Sequence, residues 1–430
     1  MKTLLYNATI IPMNADMEIV KGGYILTEGN TIREMGNGEV VLPKADEYYD
    51  VKGQWIMPGF INTHTHVPMV LLRGYADDLP LHTWLNDHIF PAEAKYMHIE
   101  NIKKAALYGM VEMIKSGTTC FNDMYFFEEI IAGEAKKTGM RARLSDSLID
   151  FPTVSFQDVP AGLKRIERLI KEWSGDDLIH PAVCTHSPYT CSQETLLKAK
   201  KLADKYDTLL HIHLSETRQE VQDVRKKIGL SPVRYLDKLG ILDQRTIAAH
   251  GVWFDESEIN ILADAGASIA HCPKSNLKLA SGIADIYTYQ NAGINISIGT
   301  DGAASNNILD MVEEMRFAAL LPKVVHYNPE AVDARTVLRM ATINAAHALG
   351  LGDITGSLEV GKRADLICIQ PGKNMEPVFD EYSAIVYAMN SHNINASMIN
   401  GEWVMKDRQL IKVNEEEITL EKLPDNTKKI

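Results

Sequence analysis

The chain has 430 residues, 45% hydrophobic and 23% charged, a balance that suits a soluble globular protein with one large domain and a smaller companion. Its formal net charge of −13, with no basic stripe to offset it, argues against nucleic acid or an anionic membrane surface as a partner. The five cysteines (Cys120, Cys184, Cys191, Cys272 and Cys368) are scattered and form no CxxC pair, which excludes a disulfide framework and a thiolate zinc site.

The first stretch, MKTLLYNATIIPMNAD, lacks the longer apolar core and small-residue cleavage site of a signal peptide, and no apolar run reaches the length of a membrane span. A cytoplasmic protein is expected. Residues 1–55 read as short strands and turns, and the texture returns in GSLEVGKRADLICIQ and ASMINGEWVMKDRQ near the other end. Neither end alone offers enough apolar strand for a stable sheet. Residues 1–55 and 356–430 are therefore expected to pair into one small β-sandwich domain.

Between them, residues 56–355 alternate short apolar runs with longer amphipathic ones. The short runs are GFINTHTH, TTCFNDM, RARLSDS, PAVCTHS, TLLHIHL, TIAAH, SIAHC and INISIGTD. Helix-period segments such as IKKAALYGMVEMIKSG and MVEEMRFAALL separate them. Eight such strand–helix units predict a (β/α)₈ barrel. A doubly wound sheet is the other architecture this pattern allows, but no GxGxxG follows the first strand.

Of the 14 histidines, six stand at or near predicted strand ends: His64, His66, His186, His213, His250 and His271. Asp301 ends the eighth strand. Strand C-termini of a barrel converge on one face, so these sequence-distant residues are expected to meet there. His64 and His66 are two apart, and the strand period of two sends both imidazoles to the same side. His213, with His64, His66 and Asp301, would make a nitrogen- and oxygen-rich site for a divalent cation, Zn²⁺ or Fe²⁺, with a position left for water. Either His211 or His213 of HIHLSE could face inward; Glu216, three residues after His213, favours His213 and leaves His211 a structural part. A metal-activated water needs a proton carrier, for which Glu216, His250 and Asp301 are the candidates. His271 reads as a packing residue.

The motifs PGFINTHTH, HIHLSET, AAHGVWF, HCPKSNLKLASGI and IGTDGAASNN resemble the deaminase branch of the amidohydrolase superfamily over essentially the whole chain. Within it they are similar to 5-methylthioadenosine/S-adenosylhomocysteine deaminases and 5′-deoxyadenosine deaminases. The resemblance implies one ion, zinc before iron or manganese, held by His64, His66, His213 and Asp301. Glu216 would carry a proton to the ring nitrogen beside the reacting carbon, and His250 and Asp301 would steer the hydroxide. His186 stands where two-metal members carry a lysine, so a single ion is expected. Glu93, in FPAEAKY, matches the carboxylate that takes the ribose hydroxyls, His186 matches a substrate contact, and Trp84 is a candidate pocket wall.

The implied reaction is hydrolytic deamination at C6 of adenosine-type nucleosides with modified 5′ groups. Deamination of another heterocycle (guanine, a pterin, cytosine or a triazine) and cyclic-amide hydrolysis stay open as alternatives. The partner is then a small-molecule purine nucleoside, and a homo-oligomer is expected because such barrels often pair through helix faces. One departure stands out. The S-adenosylhomocysteine deaminases commonly carry an arginine at the position of Asp146, where it suits the carboxylate of a homocysteine tail. An aspartate there would repel that tail, and Arg141 and Arg143 do not share its place on the strand. Neutral 5′ groups are therefore expected to rank above S-adenosylhomocysteine.

Overall fold

In the computed structural model, residues 1–38 and 41–424 are described. Residues 39–40 and 425–430 of the expected small domain lie outside the described residues. Parallel strands fill eight positions of a nearly closed barrel. In order they are Phe60–Thr65, Thr118–Tyr125, Arg141–Leu148, a split fourth position, Leu210–Leu214, Thr246–His250, Ser268–His271 and Asn295–Ile298. The fourth consists of Ile179–Pro181 and Val183–Thr185; the break follows Pro181, whose nitrogen has no hydrogen to give a ladder. The strands are buried almost throughout, which explains why they read as continuous apolar runs rather than alternating ones.

The (β/α)₈ barrel is the fold expected. Its helices begin where the sequence supplies caps: the side chains of Asp158, Ser192, Thr217 and Asp255 each accept a backbone N–H of the first turn. The ring of strands closes between its first and eighth members. There Thr63 Oγ1 donates to the Ile298 carbonyl at 2.9 Å, and Asp301 N donates to the His64 carbonyl at 2.9 Å. Gly299 permits that approach, since a Cβ on it would lie 2.8 Å from His64 backbone atoms.

Both chain ends build a second, nine-stranded mixed sheet. Trp55–Pro58 is the shared member, pairing in parallel with Lys2–Ile10 and antiparallel with Leu366–Ile369. A buried ion pair ties this sheet to the barrel: Arg141 Nε donates to Asp365 Oδ2 at 2.7 Å and Nη2 donates to Oδ1 at 3.2 Å. Both side chains are fully buried. Among the described residues, no helix is long and apolar enough to cross a membrane.

Candidate active site

The strand ends deliver their histidines to one place. Ring centroids of His64 lie 4.9 Å from those of His66 and His213 and 5.3 Å from that of His250. Asp301 Oδ1 is 3.2 Å from His66 Nε2 and 3.4 Å from His64 Nε2. Three of the groups sit on backbone that favours glycine: His250 (φ 73°), Asp301 (φ 62°) and Ser215 (φ 51°), the last just after His213. Such positions are held only where surrounding contacts outweigh the strain, and they cluster at functional sites.

Hydrogen bonds fix which nitrogens face the centre. His66 Nδ1 donates to the Met124 carbonyl at 2.7 Å, and His213 Nδ1 donates to the His186 carbonyl at 2.8 Å. A carbonyl only accepts, so each Nδ1 carries a hydrogen and each Nε2 faces the centre, a lone pair whenever the ring is neutral; beside Asp301 the His66 ring is held above its ordinary pKa. These two Nε2 atoms lie 3.4 Å apart. His64 Nε2, buried, has no hydrogen-bond partner. Burial holds the His64 ring near pKa 3 and the His213 ring well below the ordinary imidazole range, so both stay neutral. The ligand atoms of His64, His66 and Asp301 lie within 4.8 Å of one another, a nitrogen and oxygen set that fits a divalent cation, and His213 Nε2 stands beside that of His66. His250 joins a second such set with His64 and His213.

Supporting contacts orient these groups. Ser275 Oγ and Ser305 Oγ donate to Asp301 Oδ2 at 2.6 and 2.7 Å, which leaves Oδ1 toward the histidines. His211 Nε2 is 3.1 Å from His64 Nδ1, behind the ring, which gives it the structural part expected. His250 Nδ1 donates to Asn276 Oδ1 at 2.9 Å, so its bare Nε2 faces Glu216 Oε2, 3.8 Å away.

Above this cluster opens a cavity of about 890 Å³ lined by His66, His213, His250, Asp301, Glu216, Glu93, His186 and Trp84, among others. All the expected site residues except the fully buried His64 therefore line one space; His271 does not. Burial raises the Glu216 carboxyl above its ordinary range, and Ser281 Oγ donates to its Oε1 at 3.3 Å. Glu220 pins the turn that carries it: its two oxygens accept from Ser215 N at 3.0 Å and Glu216 N at 2.7 Å. Glu93, pushed up to about 7 by burial, accepts from the Tyr125 hydroxyl at 2.6 Å through Oε1. Burial lowers His186 to about 3, and its Nδ1 lies 2.9 Å from Thr190 Oγ1.

Residues 55–404 match the Amidohydrolase family. The chain is 43% identical over 423 residues to the 5-methylthioadenosine/S-adenosylhomocysteine deaminase of Thermodesulfovibrio yellowstonii, covering 97% of this chain and 96% of the relative. This chain belongs to the amidohydrolase family. It is also 42% identical over 406 residues to the 5′-deoxyadenosine deaminase of Methanothermobacter thermautotrophicus, covering 94% and 93%. Among solved structures, a zinc-bound adenosine deaminase from Xanthomonas campestris superposes with a TM-score of 0.94 at 38% identity, covering 97% of this chain and 95% of that one. Amidohydrolases are metal-dependent enzymes, and the histidine-rich cluster fits that chemistry.

One expectation about this amidohydrolase is corrected. Asp146 does not line the cavity; its neighbour Ser147 does. Strand alternation turns Asp146 the other way, where Oδ1 accepts from Phe127 N at 3.0 Å and Oδ2 lies 3.7 Å from Arg165 Nε. Asp146 therefore repels nothing in the cavity. Arg141 is taken up by Asp365, and Arg143 Nη1 donates to the Pro181 carbonyl and to Thr208 Oγ1, each at 3.2 Å. Neither faces the cavity. Glu220, Tyr125, Ser275 and Ser305 were not singled out by sequence. Only the position of Glu220, four residues after Glu216 at a helix start, carried any signal.

Proposed function

We propose that the chain is a hydrolytic deaminase of adenosine-type nucleosides with modified 5′ groups, using one zinc ion held by His64, His66, His213 and Asp301. The observation that carries this reading is one cavity that joins the cation-ready cluster to a proton carrier, Glu216, and to a second carboxylate, Glu93. When bound, such an ion supplies Lewis acidity that makes water a nucleophile near neutral pH. The relatives named above, deaminases of 5-methylthioadenosine, S-adenosylhomocysteine and 5′-deoxyadenosine, support the substrate class.

The chain's own residues divide the remaining work. Glu216, whose buried carboxyl holds its proton more tightly than usual, donates to the purine N1 as water adds at C6. His250 accepts the proton of that water at its bare Nε2, with Asn276 fixing the ring. Asp301, its Oδ2 held by Ser275 and Ser305 and its Oδ1 by Gly302 N, steers the same water. His250 then gives the proton it took to the C6 amino group while Glu216 takes one back from the C6 hydroxyl, so that collapse expels ammonia, leaves the inosine-type product and restores both residues. Glu93 takes the ribose 2′- and 3′-hydroxyls with the oxygen that Tyr125 leaves free, and His186 and Trp84 form walls around the base and sugar.

The decisive experiment is ammonia release by zinc-loaded protein from 5′-deoxyadenosine and methylthioadenosine, with Glu216→Gln alongside. The wild type should turn both over; the variant should keep its metal and lose at least about 10³-fold in kcat. Comparable activity in Glu216→Gln would overturn the mechanism. The division into residues 1–55 plus 356–430 and 56–355 belongs to this reading, although the pairing of Trp55–Pro58 with the terminal strands favours a first boundary nearer residue 58. So does a cytoplasmic homo-oligomer that does not bind nucleic acid. Exposed Leu320, Val324 and Tyr327 on and beyond helix Met311–Val325 support self-association, and light scattering checks it.

A further inference from the structure

The outer wall of the cavity differs in kind from its floor. Leading away from the metal cluster, ring follows ring: His186 lies 4.9 Å from His213, Phe90 6.3 Å from His186, and Phe151 5.6 Å from Phe90. Phe90 precedes Glu93 by three residues on the helix Phe90–Tyr96 and so shares its face. Phe151 is 40% exposed and ends the series at the mouth. Ile149 and Val154, from the same loop, continue the apolar surface. The hydroxyl of Thr153, within that loop, is occupied by its own turn, accepting from Ser155 N and Phe156 N at 3.2 and 3.1 Å.

Guanidinium partners are missing from this wall among the described residues. Among the described residues no arginine lines the cavity, and the lysine that does, Lys95, holds its ammonium 4.8 Å from the centre of the Tyr96 ring. In the placement proposed above, with C6 at the cluster and the ribose hydroxyls on Glu93, Phe90 stands one turn before Glu93 on the same helix face, beside the sugar. We propose that this wall is the subsite for the 5′ substituent and that Phe90 and Phe151 select small apolar groups there. The inference rests on the nucleoside-deaminase reading above.

Three classes of 5′ group separate on this surface. A 5′-methyl or methylthio group buries apolar surface against the two rings. A 5′-hydroxyl gains no such apolar burial and sheds water against the two rings without a partner from them. The carboxylate of an amino-acid tail finds no guanidinium fork to pair with it along the wall. On this reading a preference for neutral 5′ groups comes from the apolar loop a few residues further on and not from the charge of Asp146.

The test compares kcat/KM for 5′-deoxyadenosine, methylthioadenosine, adenosine and S-adenosylhomocysteine, using zinc-loaded wild type, Phe90→Ser, Phe151→Arg and Val154→Arg. In the wild type the first two substrates should exceed adenosine about 10-fold and S-adenosylhomocysteine about 100-fold, within the range that pocket complementarity supplies. Phe90→Ser should bring methylthioadenosine and adenosine within about threefold of each other. Either arginine variant should raise S-adenosylhomocysteine relative to methylthioadenosine by about 10-fold; both positions are at least partly exposed, so a charge there leaves the core intact. Comparable wild-type rates on all four substrates overturn this inference alone. Variants that scale every substrate equally do the same. Silence on all four overturns the nucleoside reading and this inference with it.

Discussion

Single residues show best how far a sequence carries chemistry. The HxH pair was legible because a strand alternates with a fixed period, so His64 and His66 had to point the same way. Glu220 was not, because its partners are backbone N–H groups that only the folded turn brings round. Replacing Glu220 with Gln leaves one good acceptor for two donors. We expect kcat to fall about 10-fold with metal content unchanged, and a wild-type kcat in steady-state assays would show that the turn holds Glu216 without it. Ser275 and Ser305 were hidden for a similar reason, since serines in a loop carry no signal of what their hydroxyls reach. The double change Ser275→Ala with Ser305→Ala strips both donors from Asp301 Oδ2. Zinc affinity measured by chelator competition should weaken by about 10- to 100-fold, the usual effect of losing such supports.

Elements were easier to read than their phase. Buried parallel strands announce themselves as short apolar runs, and all eight were found; the same burial on both faces removes the polarity contrast that would tell inward from outward residues. Resemblance alone points Asp146 to the cavity, and with no polarity contrast along its strand nothing in the pattern shows that Ser147 occupies it instead. Helix Met311–Val325 carries a further lesson about burial. Its Glu314 is fully buried and pushed up to about 8 by desolvation, although Asn306 Nδ2 donates to it at 2.6 Å. An acid raised in the folded state above its unfolded value of 4.5 stabilises fully only below that value, and the contribution is lost as pH rises toward 8. Each pH unit in that window is worth about 1.4 kcal/mol. Glu314→Gln removes the titration. Its melting temperature relative to wild type should therefore climb steadily from pH 5 to pH 8, and a pH-independent difference would contradict the assignment.

At the scale of the molecule, the union of both chain ends into one sheet could be inferred because neither end had strand enough alone, whereas the bond that locks it to the barrel could not. Arg141 and Asp365 are both fully buried and more than 200 residues apart, and nothing in their local sequence links them. Asp365→Ala leaves a buried guanidinium without its counter-charge, for which we expect a loss of about 3–5 kcal/mol by chemical denaturation. Catalysis per folded molecule should hold, since Arg141 begins its strand at the end away from the histidine cluster. The shared strand Trp55–Pro58 also has a consequence during synthesis. It leaves the ribosome early, yet its antiparallel partner Leu366–Ile369 follows about 300 residues later. At ribosomal speeds of roughly 5–20 residues per second, one edge of that strand waits about 15–60 s for its neighbour. A nascent chain stalled before Leu366 should thus be cut readily by protease within its first 58 residues, and one stalled well beyond Gln409–Leu410 should resist.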